Sequence, residues 1–137
     1  MSEASVDVVR SAFLALADRG FDGLAEFLHP EINWRAMEGA PDDVGEMRGM
    51  EAARHYVEDW FETFDDFTTI PEELLDAGED RVVGVLHVSG CAKLSGITTE
   101  LRYAALYTLR DDKIARIREY ADREEALKAG GPRGSRR

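Results

Sequence analysis

Residues 101–122 constrain the fold more than any other stretch of the chain. They read Leu-Arg-Tyr-Ala-Ala-Leu-Tyr-Thr-Leu, then Arg110-Asp111-Asp112-Lys113, then Ile-Ala-Arg-Ile-Arg-Glu-Tyr-Ala-Asp. Two alternating runs around a short polar turn predict a β-hairpin. Successive side chains of a strand point to opposite faces. Leu101, Tyr103, Ala105, Tyr107 and Leu109 therefore share one face of the first arm. In the second arm Ala115, Ile117, Glu119 and Ala121 share a face, and Arg116, Arg118 and Tyr120 take the other. A carboxylate, Glu119, is thus in register with small and apolar residues while the arginines lie opposite.

The upstream sequence supplies elements to pack on this hairpin. Val8, Val9, Ala12, Phe13, Leu16 and Ala17 recur at helical spacing over 5–18, with Ser5 as the expected N-cap and Gly20 as the stop. A shorter helix is predicted from Asp22 to Leu28, ended by His29-Pro30, because the residue before proline is pushed out of the α region. Residues 32–36 alternate as a strand, and 37–48, with its glycines, proline and aspartates, reads as a long loop. A third helix over 49–64 carries a strongly aromatic face with Tyr56, Trp60, Phe61 and Phe64. Strands follow at 67–77, where Pro71 implies an interruption or a sheet edge, then at 81–93 and 98–109. A last helical turn or two is predicted over 122–128.

Helices followed by a run of antiparallel strands is an α+β order. The expected architecture is a cone-shaped, curved antiparallel sheet with three helices from the N-terminal half on its concave face. Such helices cannot fill the hollow of the sheet, so a pocket remains between the layers. The domain is expected to span residues 1–128 as one unit, with 129–137 as a flexible basic tail.

The totals narrow the function. At 137 residues the chain is long enough for one core without disulfides or metal. A formal net charge of −11 argues against nucleic-acid binding, which needs a basic face for the phosphates. No apolar run approaches the ~20 residues of a membrane span. The N-terminus has no basic segment before an apolar run, and Cys91 is the single cysteine, so a reducing cytoplasmic setting is expected. There is no glycine-rich phosphate loop, so no cofactor is predicted. His29, His55 and His87 share no metal-ligand spacing, and no metal site is predicted.

The order of several short segments resembles the nuclear-transport-factor-2-like superfamily, in its SnoaL-like polyketide cyclase and ketosteroid isomerase branch. The segments are Val8-Val9-Arg10 with Ala15-Leu16, Phe21-Asp22-Gly23-Leu24, and Phe27-Leu28-His29-Pro30-Glu31-Ile32-Asn33-Trp34. Further on come Tyr107-Thr108-Leu109-Arg110-Asp111, Lys113-Ile114, and Glu119-Tyr120-Ala121-Asp122 running on to Leu127. The resemblance covers residues 5–128. It implies a conical α+β barrel, commonly dimeric through the sheet, whose pocket isomerises steroids, cyclises polyketides, dehydrates or only binds. Carried over position by position, the tyrosine, base and second acid of ketosteroid isomerase fall on Ala12, Ala36 and Ala105. Methyl groups neither move protons nor donate to an oxyanion, so that constellation is absent. The SnoaL-like cyclases pair an acid on the last strand with a histidine on its neighbour. Glu119 matches the acid position, and Ala105 stands at the histidine position.

Glu119 is accordingly the candidate catalytic residue. Desolvation among apolar neighbours would tighten its hold on a proton, and Glu119→Gln would be expected to leave the melting temperature intact. The alternative is a rim glutamate paired with an arginine such as Arg102. Trp34, Ala36, Tyr56, Trp60, Leu86, Val88, Tyr103, Ala105 and Tyr107 are the candidate ligand-binding residues. The tyrosine hydroxyls would orient the ligand, with plain core packing as the alternative for each. His87, following Val83 and Val85, is placed on the outer face of its strand, an apolar strip that predicts a homodimer. Three functions remain open. They are binding of a small, largely apolar or aromatic molecule, SnoaL-like cyclase, isomerase or dehydratase chemistry through Glu119, and a dimerisation module with a vestigial pocket.

Overall fold

The apolar spacing of the first helix dictates how the chain begins to pack. In the computed structural model, which describes residues 2–37 and 45–130, helix α1 (Ser2–Arg19) buries Val6, Val9 and Ala12 against the sheet and leaves Leu14 in solvent. The helix starts earlier than its sequence suggests. Ser5 is therefore not the cap. It lies inside the helix, buried, with its hydroxyl 3.4 Å from Asp80 Oδ1. Gly20 does end the helix, at φ +68°, a conformation that glycine adopts without strain.

Helix α2 (Phe21–Ala25) follows at once. A Cβ on Gly23 would lie 2.3 Å from the Ala15 carbonyl oxygen, so the elbow between the two helices closes only on a bare backbone. Leu28 and the His29-Pro30 pair do not end this helix as predicted. They open strand β1 (Leu28–Arg35). Pro30 is tolerated because it falls in the irregular stretch between the paired residues Leu28 and Asn33, where no ladder bond needs its missing N–H.

Part of the expected loop is strand β2 (Glu46–Arg48), hydrogen-bonded to β1. Residues 38–44 of it lie outside the described residues. Helix α3 (Met50–Thr63) turns Ala53 and Val57 to the core. Strands β3 (Phe64–Gly78), β4 (Arg81–Ala92), β5 (Thr98–Arg110) and β6 (Lys113–Tyr120) complete one six-stranded sheet of order β2-β1-β6-β5-β4-β3. β3 is an edge strand with a register shift at Pro71, as the proline requires. The β3–β4 and β5–β6 turns hold Glu79-Asp80 and Asp111-Asp112 at positive φ, the geometry of a tight hairpin whose twist matches its strands.

All the pairings are antiparallel except β1 with β6, which run parallel with Trp34 beside Ile117. The helix-facing side of the sheet buries Ile32, Val82, Leu86, Ala105 and Ile114 beneath α1–α3. Helix α4 (Arg123–Gly130) crosses to the outer side. There Ala126 packs with Ala77, Val83, Ala104 and Leu106. Gly130 is buried in that helix, 3.5–3.7 Å from Leu106, Ala77 and Val83 by the position its Cβ would take. The first residues of the expected tail are therefore docked helix, and 131–137 lie outside the described residues.

Candidate functional site

Alternation along β6 puts Ile117 and Glu119 on the helix-facing side, with Arg116 and Arg118 opposite. Across the ladder Glu119 stands beside Ala105, so Tyr103 and Tyr107 are its diagonal neighbours on the same face. Two further elements reach the carboxylate. Trp34, beside Ile117 in the parallel register, donates its Nε1–H to Glu119 Oε2 at 2.9 Å. The Met37 backbone N–H donates to Oε1 at 3.2 Å. The Tyr56 hydroxyl, from α3, lies 3.4 Å from both oxygens. Trp34 and Tyr56 also pack edge to face, ring centroids 5.3 Å apart.

Three donors from β1, from the segment behind it and from α3 therefore converge on one acceptor. Charge-assisted hydrogen bonds of this kind are stronger than neutral ones and fix the side chain's position. Arg102 is not the partner of this carboxylate. Arg102 forms a bidentate pair with Glu72, at 2.9 and 3.1 Å, away from Glu119.

Between the helices and the sheet lies a cavity of about 400 Å³ that Glu119 and Trp34 help to line. Tyr56, Trp60, Val88, Tyr103 and Tyr107 also line it. Ala36, Leu86 and Ala105 do not. Each is about 1% exposed and packed behind the wall. Ala105 contributes room: a small residue opposite Glu119 leaves space in front of its carboxylate. The lining also includes α1 residues that strand reasoning missed, Ala12, Phe13 and Leu16. The usable signal for them was the helical apolar stripe itself, continued onto the strand face it covers.

Trp60 does not plug the hollow. It stacks on Phe64 and Phe67 at 5.4 and 5.5 Å, and Phe61 meets Phe67 edge-on. The aromatic face of α3 is thus satisfied at the side of the cavity. Polar lining beyond Glu119 comes from Thr69, Thr99, Glu100 and the tyrosines.

Tyr107 is 5% exposed and sits edge-on to Phe13, ring centroids 6.1 Å apart. Burial, reinforced by the negative charge of Glu119, pushes its phenol well above the ordinary value of 10.0. The hydroxyl stays protonated and can donate. Gly84 makes way for the ring: a Cβ there would lie 3.1 Å from Tyr107 Cε2.

Other chemistry is sparse. Among the described residues no three His, Cys, Asp or Glu side chains group to hold a metal ion, and no helix is long and apolar enough to cross a membrane. His87 faces outward beside Glu100, 3.6 Å away.

The model of a SnoaL-like domain matches residues 9–117. None of the curated proteins matches the chain. Among solved structures, an NTF2-like protein from Burkholderia thailandensis is 24% identical with a TM-score of 0.76, over 92% of this chain and 95% of that one. TerC, co-crystallised with polyporic acid, is 21% identical with a TM-score of 0.74, covering 91% of this chain and 98% of its own. Rv0760c from Mycobacterium tuberculosis, in complex with estradiol-17β-hemisuccinate, is 16% identical with a TM-score of 0.73, over 88% and 95%. At these identities the likeness is one of fold. With the family match spanning most of the sequence, the chain belongs to the SnoaL-like domain family and has the NTF2-like fold.

Proposed function

We propose that the protein binds a small, largely apolar or aromatic molecule in this cavity, with the ligand's polar end near Glu119. The observation that carries this is an open hollow of about 400 Å³, with mostly apolar and aromatic walls and the Glu119 carboxylate held there by Trp34, Met37 and Tyr56. That volume is in the range of small-molecule sites, which combine apolar walls with few fixed polar groups. Two proteins of the same fold have been crystallised with polyporic acid and with a steroid ester, which supports the same class of ligand.

The chain's two tryptophans, Trp34 and Trp60, both line the cavity, so tryptophan emission reports on it alone. Titration with a panel of phenols, quinones and sterols should give saturable quenching in the micromolar range. A panel that leaves the emission unchanged would remove the proposal.

A second reading is SnoaL-like cyclase, isomerase or dehydratase chemistry with Glu119 in proton transfer, favoured by the placing of its carboxylate on the cavity wall. Glu119 would then catalyse hydrogen–deuterium exchange at the carbon next to the carbonyl of 2-tetralone, and Glu119→Gln would not. A vestigial pocket is disfavoured because Trp60 and Phe61 stack at the side and leave the hollow open. We also propose a homodimer through the outer face, where Ile70, paired with His87, is half exposed.

A further inference from the structure

We propose that Tyr107 sets ligand specificity by donating its hydroxyl proton to a carbonyl oxygen, as of a ketone or quinone, on the bound molecule. The inference rests on the cavity being a ligand site and names the chemistry that site selects.

Tyr107 is 95% buried by its exposure of 5%, and it lines the cavity. No hydrogen bond joins its hydroxyl to any other described residue. Its ring contact is with Phe13, and its strand partner on β6 is Ile117. A buried polar group with no partner costs free energy, and in folded proteins such groups are nearly always matched. The Tyr107 hydroxyl is not sealed in this way, as Asn33 Oδ1 and His87 Nε2 are; it is open to a hollow large enough for a ligand, and a molecule that displaces water from it has to supply the matching group.

The direction of that bond follows from the surroundings. Burial and the Glu119 charge keep the phenol protonated, so it has a proton to give. The adjacent side chains, Phe13 and Ile117, accept nothing. Glu119, diagonal to it across the ladder, already accepts hydrogen bonds from the Trp34 Nε1–H, the Met37 N–H and the Tyr56 hydroxyl. A ligand hydroxyl against Tyr107 would therefore have no ready acceptor for its own proton. A carbonyl oxygen has no proton to place.

The wall is shaped for the same ring. Gly84 lies where any side chain would press on Tyr107 Cε2 and Leu74 Cδ2, at 3.1 and 3.2 Å. Sites built to hydrogen-bond a ligand discriminate strongly against analogues that lack the partner group, because the protein's own polar atom is then left unmatched.

9-Fluorenone and fluorene, nearly identical in shape and differing by one carbonyl, form the test pair. Calorimetric titration of the wild-type protein should favour fluorenone by about tenfold, the worth of one neutral hydrogen bond. Tyr107→Phe should abolish that preference by weakening fluorenone alone, with fluorene binding and melting temperature unchanged. The carbonyl stretch of bound fluorenone, read by infrared difference spectroscopy on the unmodified protein, should move to lower frequency. That measurement does not depend on the variant folding.

Equal affinity of the wild type for both compounds, a preference that persists in Tyr107→Phe, or an unshifted stretch would overturn the assignment and leave the cavity a ligand site. A clear fall in melting temperature on Tyr107→Phe would do the same, since it would mean that the hydroxyl serves the fold. If neither compound binds, the ligand-site reading falls and this assignment with it.

Discussion

Glu119 stands directly opposite Ala105 across the β5–β6 ladder, and both face the helices. A larger residue at 105 would cover the carboxylate. With alanine there, the carboxylate borders the hollow while Trp34, Met37 and Tyr56 hold it.

That holding reverses one sequence-based expectation. Glu119→Gln would replace one acceptor oxygen with an amide NH₂ aimed at donors, leaving a partly buried N–H or O–H unmatched. An unmatched donor costs about 1–3 kcal/mol. The variant should melt on the order of 5 °C lower, and in combination with Trp34→Phe the losses should be less than additive, because the two changes remove the same bond. A calorimetric scan with an unchanged melting temperature would mean that the three contacts carry no net stability.

Tyr107 predicts an alkaline limb. Its folded pKa is raised above the unfolded value of 10.0, so its contribution is complete below pH 10 and is lost as pH rises above that value. There the unfolded chain releases a proton that the folded chain retains. Wild type should lose about 1.4 kcal/mol per pH unit more than Tyr107→Phe in this window. Parallel denaturant midpoints for the two proteins between pH 9 and roughly 11 would contradict the burial of the phenol.

Two glycines should rank by what they touch. Gly23→Ala puts a methyl 2.3 Å from a backbone carbonyl of α1, which can yield only if the helix moves. Gly84→Ala meets the ends of Tyr107 and Leu74 at 3.1 and 3.2 Å. Overpacking costs about 1–3 kcal/mol, so Gly84→Ala should fall in that range and Gly23→Ala above it. The reverse order of melting temperatures would show that the helix elbow adapts more readily than the cavity wall.

Light scattering at micromolar concentration should give a dimer mass, and Ile70→Lys should shift it towards monomer. A wild-type monomer would show that α4, which already covers Val83 and Leu106, leaves too little apolar surface for a stable pair.

The face of each side chain on β5 and β6 was legible because a period of two admits only two choices, and the Asp111-Asp112 turn pins the register. Glu119, Tyr103 and Tyr107 were placed from that alone. The pairing of β1 with β6 was not legible. Nothing local in Ile32-Asn33-Trp34 specifies a parallel neighbour so far along the chain. The breaker at His29-Pro30 was overridden because the strand is irregular just there. Ala36, Leu86 and Ala105 have the right polarity for a lining, but sequence cannot tell a wall from the layer behind it. Met37 escaped notice because its contribution to Glu119 is a backbone N–H, which every non-proline residue carries.

The parallel seam has a further consequence, for the order in which the molecule assembles. Trp34 and Glu119 are 85 residues apart in sequence, and their bond closes across that seam. Loop-closure entropy makes such distant pairings late and slow compared with the local β5–β6 hairpin. On a ribosome the first three helices emerge long before β6 exists to receive β1. Until then α1 holds Val9, Ala12 and Phe13 without the sheet they cover. The hollow between the layers is thus among the last features to form, and a nascent chain stalled before residue 113 would expose its future walls as a sticky surface.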